Sequence, residues 1–192
     1  VLAVIGVVRP VLLGNMIAPH TGWLLMRSLE TLKLRMDKQA ENAAELALRL
    51  KDHPNVKKVL YLGLLDKQDE KQYAIFQKQC LSPGAMISLI LLGGEKEAFM
   101  FLNHLKIVKL AVSLGSTESL AQHPATMTHA GISPEEKIEF GITANLIRLS
   151  VGVEHVEDLW WDLNAALNTI DTKEVNSIEH HSSARTTALV VM

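Results

Sequence analysis

The 192 residues hold 19 lysines and arginines against 21 aspartates and glutamates, a formal net charge of −2, with 48% hydrophobic and 21% charged residues. That is the balance of a soluble globular protein with room for one real core. No run of cations is long enough to track a phosphate backbone, which argues against a nucleic-acid partner. No apolar stretch reaches the roughly 18 residues a membrane helix needs, which argues against a membrane one.

In chain order, Val1 to Leu13 is apolar but broken by Arg9 and Pro10. With no basic segment before it and no small-residue cleavage site after it, it does not read as a secretory leader. The chain starts on valine rather than methionine, which points to a truncated or processed product. From Trp23 to Leu50, Leu24, Leu25, Leu29, Leu32, Leu46 and Leu50 recur at helical spacing, with Pro19 and Thr21 as start signals and Pro54 as a stop. The pattern predicts one long helix, or two meeting near Arg35. Val56 to Tyr61 reads as a strand and Gln72 to Cys80 as a modest helix closed by the turn pair Pro83-Gly84. Ala85 to Leu92 is continuously apolar, the pattern of a strand buried on both faces.

Further along, Glu95 to Leu105 reads as an amphipathic helix and Ile107 to Val112 as a strand. Ser133, Pro134, Glu135 and Glu136 make a helix start: a capping hydroxyl, a proline in the first turn, and carboxylates at the positive end of the dipole. Leu146 to Val151 follows as a strand and Val156 to Ile170 as a closing helix. About four strands separated by helices result. Several connections are too short for a doubly wound sheet, so the expected fold is α/β, an α+β subdomain with a mixed or antiparallel sheet and helices mainly on one face. From Asp171 to Met192 periodicity is lost and Thr, Ser, His and Asn accumulate, the composition of a disordered tail. The lone cysteine, Cys80, has no internal partner, which favours a reducing compartment and a cytoplasmic protein.

Chemistry concentrates in two places. In the strand from Leu146, alternation puts Ile147, Leu149 and Val151 on one face and Leu146, Arg148 and Ser150 on the other. A guanidinium in mid-strand needs an anionic partner, and its planar fork suits a carboxylate. Two partners are open: an internal glutamate such as Glu118 or Glu154, or the carboxylate of a ligand. The second place is Val112-Ser113-Leu114-Gly115, a strand end turning into a polar loop that continues through Glu118, Ser119, Gln122, His123, His129 and Ser133. Such loops expose free backbone N–H groups, although a merely solvated loop has the same composition. His123 and His129 match no zinc spacing, and no metal is expected. No nucleophile-elbow pattern occurs. Of the pair Trp160-Trp161, one ring is expected in the core and the other at a subunit contact.

The run Ser113-Leu-Gly-Ser-Thr-Glu-Ser-Leu-Ala-Gln-His-Pro-Ala-Thr-Met-Thr-His129, with Gly141-Ile142 and Leu146-Ile-Arg-Leu-Ser-Val-Gly-Val-Glu154, resembles the Cys/Met-metabolism family of pyridoxal-phosphate (PLP) enzymes. That family includes methionine γ-lyase, cystathionine γ-lyase, cystathionine γ-synthase and O-acetylhomoserine sulfhydrylase. Ala18 to Met36 and Pro83-Gly-Ala-Met-Ile-Ser88 extend the likeness, which runs from about Gly14 to Leu167 in the family's order. The resemblance implies the C-terminal part of a fold-type I, aminotransferase-like enzyme: residues 1–16 a remnant of the large PLP-binding domain, 17–170 the C-terminal subdomain with a long bridging helix, and 171–192 outside the likeness. It implies PLP as cofactor, a sulfur-containing amino acid as substrate, and a homo-oligomer, a dimer of dimers in the family. It also implies that Arg148 grips the substrate α-carboxylate, that Ser113 helps, and that Gln122 stands close by.

Val112 stands where typical cystathionine γ-lyases have glutamate, and an apolar residue there favours an apolar thioether. The resemblance therefore points first to a methionine γ-lyase-like C–S lyase. O-acetylhomoserine sulfhydrylase or a cystathionine γ-synthase or lyase comes second. The family's Schiff-base lysine lies upstream of the stretch matching Gly14, and no lysine here precedes Lys33. The chain alone is accordingly expected to be inactive, with no catalytic residue of its own. From another class, it could be a non-catalytic truncated module that associates with full-length subunits.

Overall fold

The computed structural model describes residues 16–66 and 69–170. Of the remnant expected at 1–16, residues 1–15 lie outside the described residues, as does the tail expected at 171–192. The chain divides into two compact units at Arg35/Met36.

In the first unit, helix α1 (Pro19–Glu30) begins on Pro19, whose missing N–H would be unpaired in a first turn anyway. It ends at Thr31, and helix α2 (Leu32–Lys51) starts at the next residue. There are thus two helices, meeting four residues before Arg35. The Arg35 guanidinium secures the break by donating to the Ser28 carbonyl at 2.8 Å and to Thr31 Oγ1 at 3.2 Å. α1 buries no residue: Trp23, Leu24, Leu25, Met26 and Leu29 are all exposed.

The second unit is built on a five-stranded mixed sheet in the order β1 (Val56–Leu60), β2 (Met86–Leu91), β5 (Leu146–Ser150), β4 (Leu120–Gln122) and β3 (Lys109–Leu110). The first three junctions are antiparallel and β3–β4 is parallel. The expectation of about four strands falls one short, because Leu120–Gln122 lies inside the stretch read as a polar loop. All three of its residues are buried, and it pairs with β5 at the centre of the sheet. In a strand that short, alternation has no room to show.

One face of the sheet carries Ile87, Leu89, Leu91, Ala121, Ile147 and Leu149, all essentially inaccessible. Against it pack Ala43, Leu46, Ala47 and Leu50 of α2, Ala98, Phe101 and Leu102 of α4 (Glu95–His104), and Leu159, Leu163, Ala166 and Leu167 of α6 (Val156–Leu167). The short α3 (Glu70–Gln79) and α5 (Pro134–Glu139) bury nothing. The α5 start is as expected: Ser133 Oγ accepts the Glu136 N–H at 3.3 Å, and the Glu136 carboxylate takes the Ser133 N–H at 3.2 Å. Strand β2 corrects an expectation. Only Ile87, Leu89 and Leu91 are buried, while Met86, Ser88 and Ile90 are partly open, so its unbroken apolar run hides a one-sided strand.

Two polar side chains fix the ends of elements. Asp162 of α6 is buried and accepts the N–H groups of Lys106, Ile107 and Val108 at 2.8–2.9 Å, steering the chain into β3. Asn55 donates to the carbonyls of Leu167 and Ile170 at 2.9 and 3.2 Å, satisfying the C-terminal end of α6. Trp160 lies edge-on to His53 and beneath Arg49, and Trp161 is exposed beside Lys106. Among the described residues, no helix is long and apolar enough to cross a membrane.

Candidate functional site

The sheet's second face is where the sequence-derived residues meet. In register across four strands stand Leu60, Ser88, Arg148 and Gln122. Because directly opposed residues share a face, Arg148 projects on the side away from the helices. Loop 111–119, which carries the chain from β3 back to the parallel β4, closes over this side. Its Val112 and Ser113 carbonyls accept from Arg148 Nη2 at 2.8 and 3.1 Å. Gly115, at φ 77°, donates its N–H to Ser150 Oγ at 3.1 Å. That left-handed angle comes without strain only to glycine. With its amide oxygen turned to the guanidinium, Gln122 accepts from Nη1 at 3.0 Å and from Nε at 3.2 Å.

All four predicted site residues therefore come together. Val112 and Ser113 engage Arg148 through their main chain, and their side chains are exposed. Gln122 is buried and Arg148 half-buried. Neither glutamate considered as an internal partner for Arg148 is bound to it. Glu118 receives the Ser116 hydroxyl at 3.3 Å, and Glu154 binds Ser119. Among the described residues Arg148 makes no ion pair. Burial alone pushes its pKa below the ordinary value, yet a guanidinium remains a cation at neutral pH. Four of its five N–H groups point at neutral oxygens, leaving one on Nη1 and an uncompensated positive charge.

His123 is held internally: its Nδ1 lies 2.8 Å from Thr126 Oγ1 and its Nε2 2.7 Å from the Ala144 carbonyl. Sequence reasoning missed a set of polar residues beneath the loop. Ser119 N–H and Oγ–H both donate to the Glu154 carboxylate, at 2.6 and 2.8 Å, and Ser119 Oγ accepts the Gly152 N–H at 2.8 Å. Asn42 of α2 donates to the Gly152 and Glu154 carbonyls at 3.1 and 2.8 Å, and Gln39 donates to the Ser116 carbonyl. The available signal was the placement of Gln39 and Asn42 in the stripe that continues through Ala43, Leu46 and Leu50, where a polar residue must find a partner.

Residues 8–168 match the family described as Cys/Met metabolism PLP-dependent enzyme. The chain belongs to that family. It is 45% identical over 154 residues to the L-methionine gamma-lyase of Pseudomonas putida, covering 80% of this chain and 38% of that protein. It is 44% identical over 155 residues to the cystathionine beta-lyase of Coxiella burnetii, covering 81% and 39%. The crystal structure of the Lactobacillus plantarum cystathionine gamma-lyase complexed with L-serine superposes with a TM-score of 0.73 at 41% identity, over 82% of this chain and 40% of that one. The chain thus spans about two fifths of the length of the relatives it matches.

The family's cofactor is PLP. The residues that pair with or bond to Arg148 are Ser88, Gln122, Val112 and Ser113. They include no amine to form an imine and no carboxylate for a ring nitrogen, so they do not fit that group.

Proposed function

We propose that this chain supplies the substrate-carboxylate site of a PLP-dependent enzyme acting on a sulfur-containing amino acid. A methionine γ-lyase-like C–S lyase is the first reading, and a sulfhydrylase or a cystathionine-type enzyme the alternative. The observation that carries the proposal is Arg148: a half-buried cation without an anionic partner among the described residues, held by two main-chain carbonyls and the Gln122 amide. An amino-acid carboxylate would take the free Nη1–H and displace one neutral contact, because a charge-assisted bond is roughly twice as strong. Anchored there, the substrate is oriented through its carboxylate while Val112, 51% exposed, offers an apolar surface to the rest of the side chain.

The test is a calorimetric titration of the chain with L-methionine and with its methyl ester. Methionine is expected to bind, the ester to bind far more weakly, and Arg148→Ala to weaken methionine at least about 30-fold, as loss of a buried charged anchor does. Equal binding of acid and ester, or an unaffected Arg148→Ala, overturns the reading.

The bare apolar surface of α1 favours a second role, association with longer subunits of the same family. Mixing the chain with a full-length relative and finding no common species by analytical ultracentrifugation would refute it.

A further inference from the structure

We infer that Glu154 is a positioning residue: through Ser119 it latches loop 111–119 so that the Val112 and Ser113 carbonyls aim the Arg148 guanidinium. The inference deepens the carboxylate-site reading and rests on it for the ligand alone. Loop 111–119 has no regular structure of its own, so something else must hold its shape. The latch has three parts. The Glu154 carboxylate takes both donors of Ser119, and Ser119 Oγ in turn takes the Gly152 N–H. The Val153 N–H donates to the Thr117 carbonyl at 2.8 Å, zipping the loop to the turn after β5. Asn42 and Gln39 of α2 grip the two segments from beneath, through the carbonyls of Gly152, Glu154 and Ser116.

Within this set, Glu154 is the one charged group, and it accepts two bonds from a single residue that begins the approach to β4. Gly152 shows how closely the two segments approach. A Cβ there would lie 2.3 Å from Glu154 Oε2 and 2.4 Å from the Thr117 carbonyl oxygen. With that anchorage Arg148 is preorganised. Without it the loop carbonyls wander, and the guanidinium must be ordered by the ligand at the ligand's expense.

The test uses the isotope-labelled chain with Glu154→Ala, Glu154→Gln and Ser119→Ala, and with Asn55→Ala as a destabilised control altered at the end of α6. The Arg148 Nε–H resonance and its hydrogen exchange report the aim of the guanidinium directly, and an L-methionine titration reports the consequence. Glu154→Ala is expected to shift that resonance, speed its exchange, and weaken methionine about threefold to tenfold. Glu154→Gln, which keeps one acceptor, should fall between it and the wild type, and Asn55→Ala should change neither readout. An unchanged Arg148 signal in any folded latch variant overturns the inference, as does an equal change in Asn55→Ala. If the wild type binds no methionine, the carboxylate reading fails while the Nε–H readout still judges the latch.

Discussion

Replacing Asp162 with alanine strands three backbone N–H groups at once. The carboxylate is 1% exposed and accepts from Lys106, Ile107 and Val108 at 2.8–2.9 Å. An orphaned buried donor costs about 1–3 kcal/mol. Lys106 is exposed, so its N–H recovers a water, while those of Ile107 and Val108 lie deeper. Two orphans give about 4 kcal/mol, a large part of the roughly 5–15 kcal/mol that holds a domain together. The variant Asp162→Asn keeps one acceptor oxygen, enough for the deeper pair, and should cost about half as much. Urea unfolding followed by circular dichroism measures both. With a slope of about 2 kcal/mol per M, the midpoint should fall by about 2 M for alanine and about 1 M for asparagine. A shift under about 0.5 M for alanine, or asparagine as damaging as alanine, would refute this account of the carboxylate.

Gly152→Ala should overpack the junction of loop 111–119 with the turn after β5, since a Cβ meets main-chain oxygen at 2.4 Å; thermal melts should show a loss of about 2–3 kcal/mol. Asn55→Asp should destabilise more than Asn55→Ala, because it turns an acceptor toward the Leu167 and Ile170 carbonyls that Nδ2 now satisfies; chemical denaturation ranks the pair. Burial lowers the His53 pKa below its usual value, partly offset by bonds to Asn164 and Asn168. The unfolded chain therefore takes up the proton first, so this contribution to stability is complete above the usual histidine range, about 6.5, and fades as pH falls through it. His53→Gln should flatten the slope of melting temperature against pH between about 5 and 7, and an unchanged slope would contradict the assignment.

Long, regular elements were legible because their periodicity spans several turns or repeats: α2, α4, α6 and β5 lie close to where spacing puts them. The Ser133 start was legible because a capping box is chemistry between residues three apart. Strand β4 was not, since three residues beside a polar loop carry no readable alternation, and their burial comes from β5 rather than from their own composition. The two faces of β2 were hidden for the opposite reason: Ile90 and Met86 are apolar without being buried in the core. At the site, Arg148 stood out because a cation in mid-strand violates the pattern around it. Its carbonyl partners and the Glu154 latch did not, because a main-chain acceptor has no signature in a side-chain alphabet, and Glu154 lies 35 residues from the serine it holds.

That Arg148 is aimed by carbonyls has a consequence for how such a site diverges. A carbonyl belongs to every amino acid, so the side chains at 112 and 113 can be exchanged without moving the guanidinium they steer. On the proposed carboxylate-site reading, the anchor for the part common to all amino acids is thereby uncoupled from the surface that would meet the part that differs. On that reading, a scaffold wired this way can try new side-chain preferences one substitution at a time while the aim of Arg148 stays put.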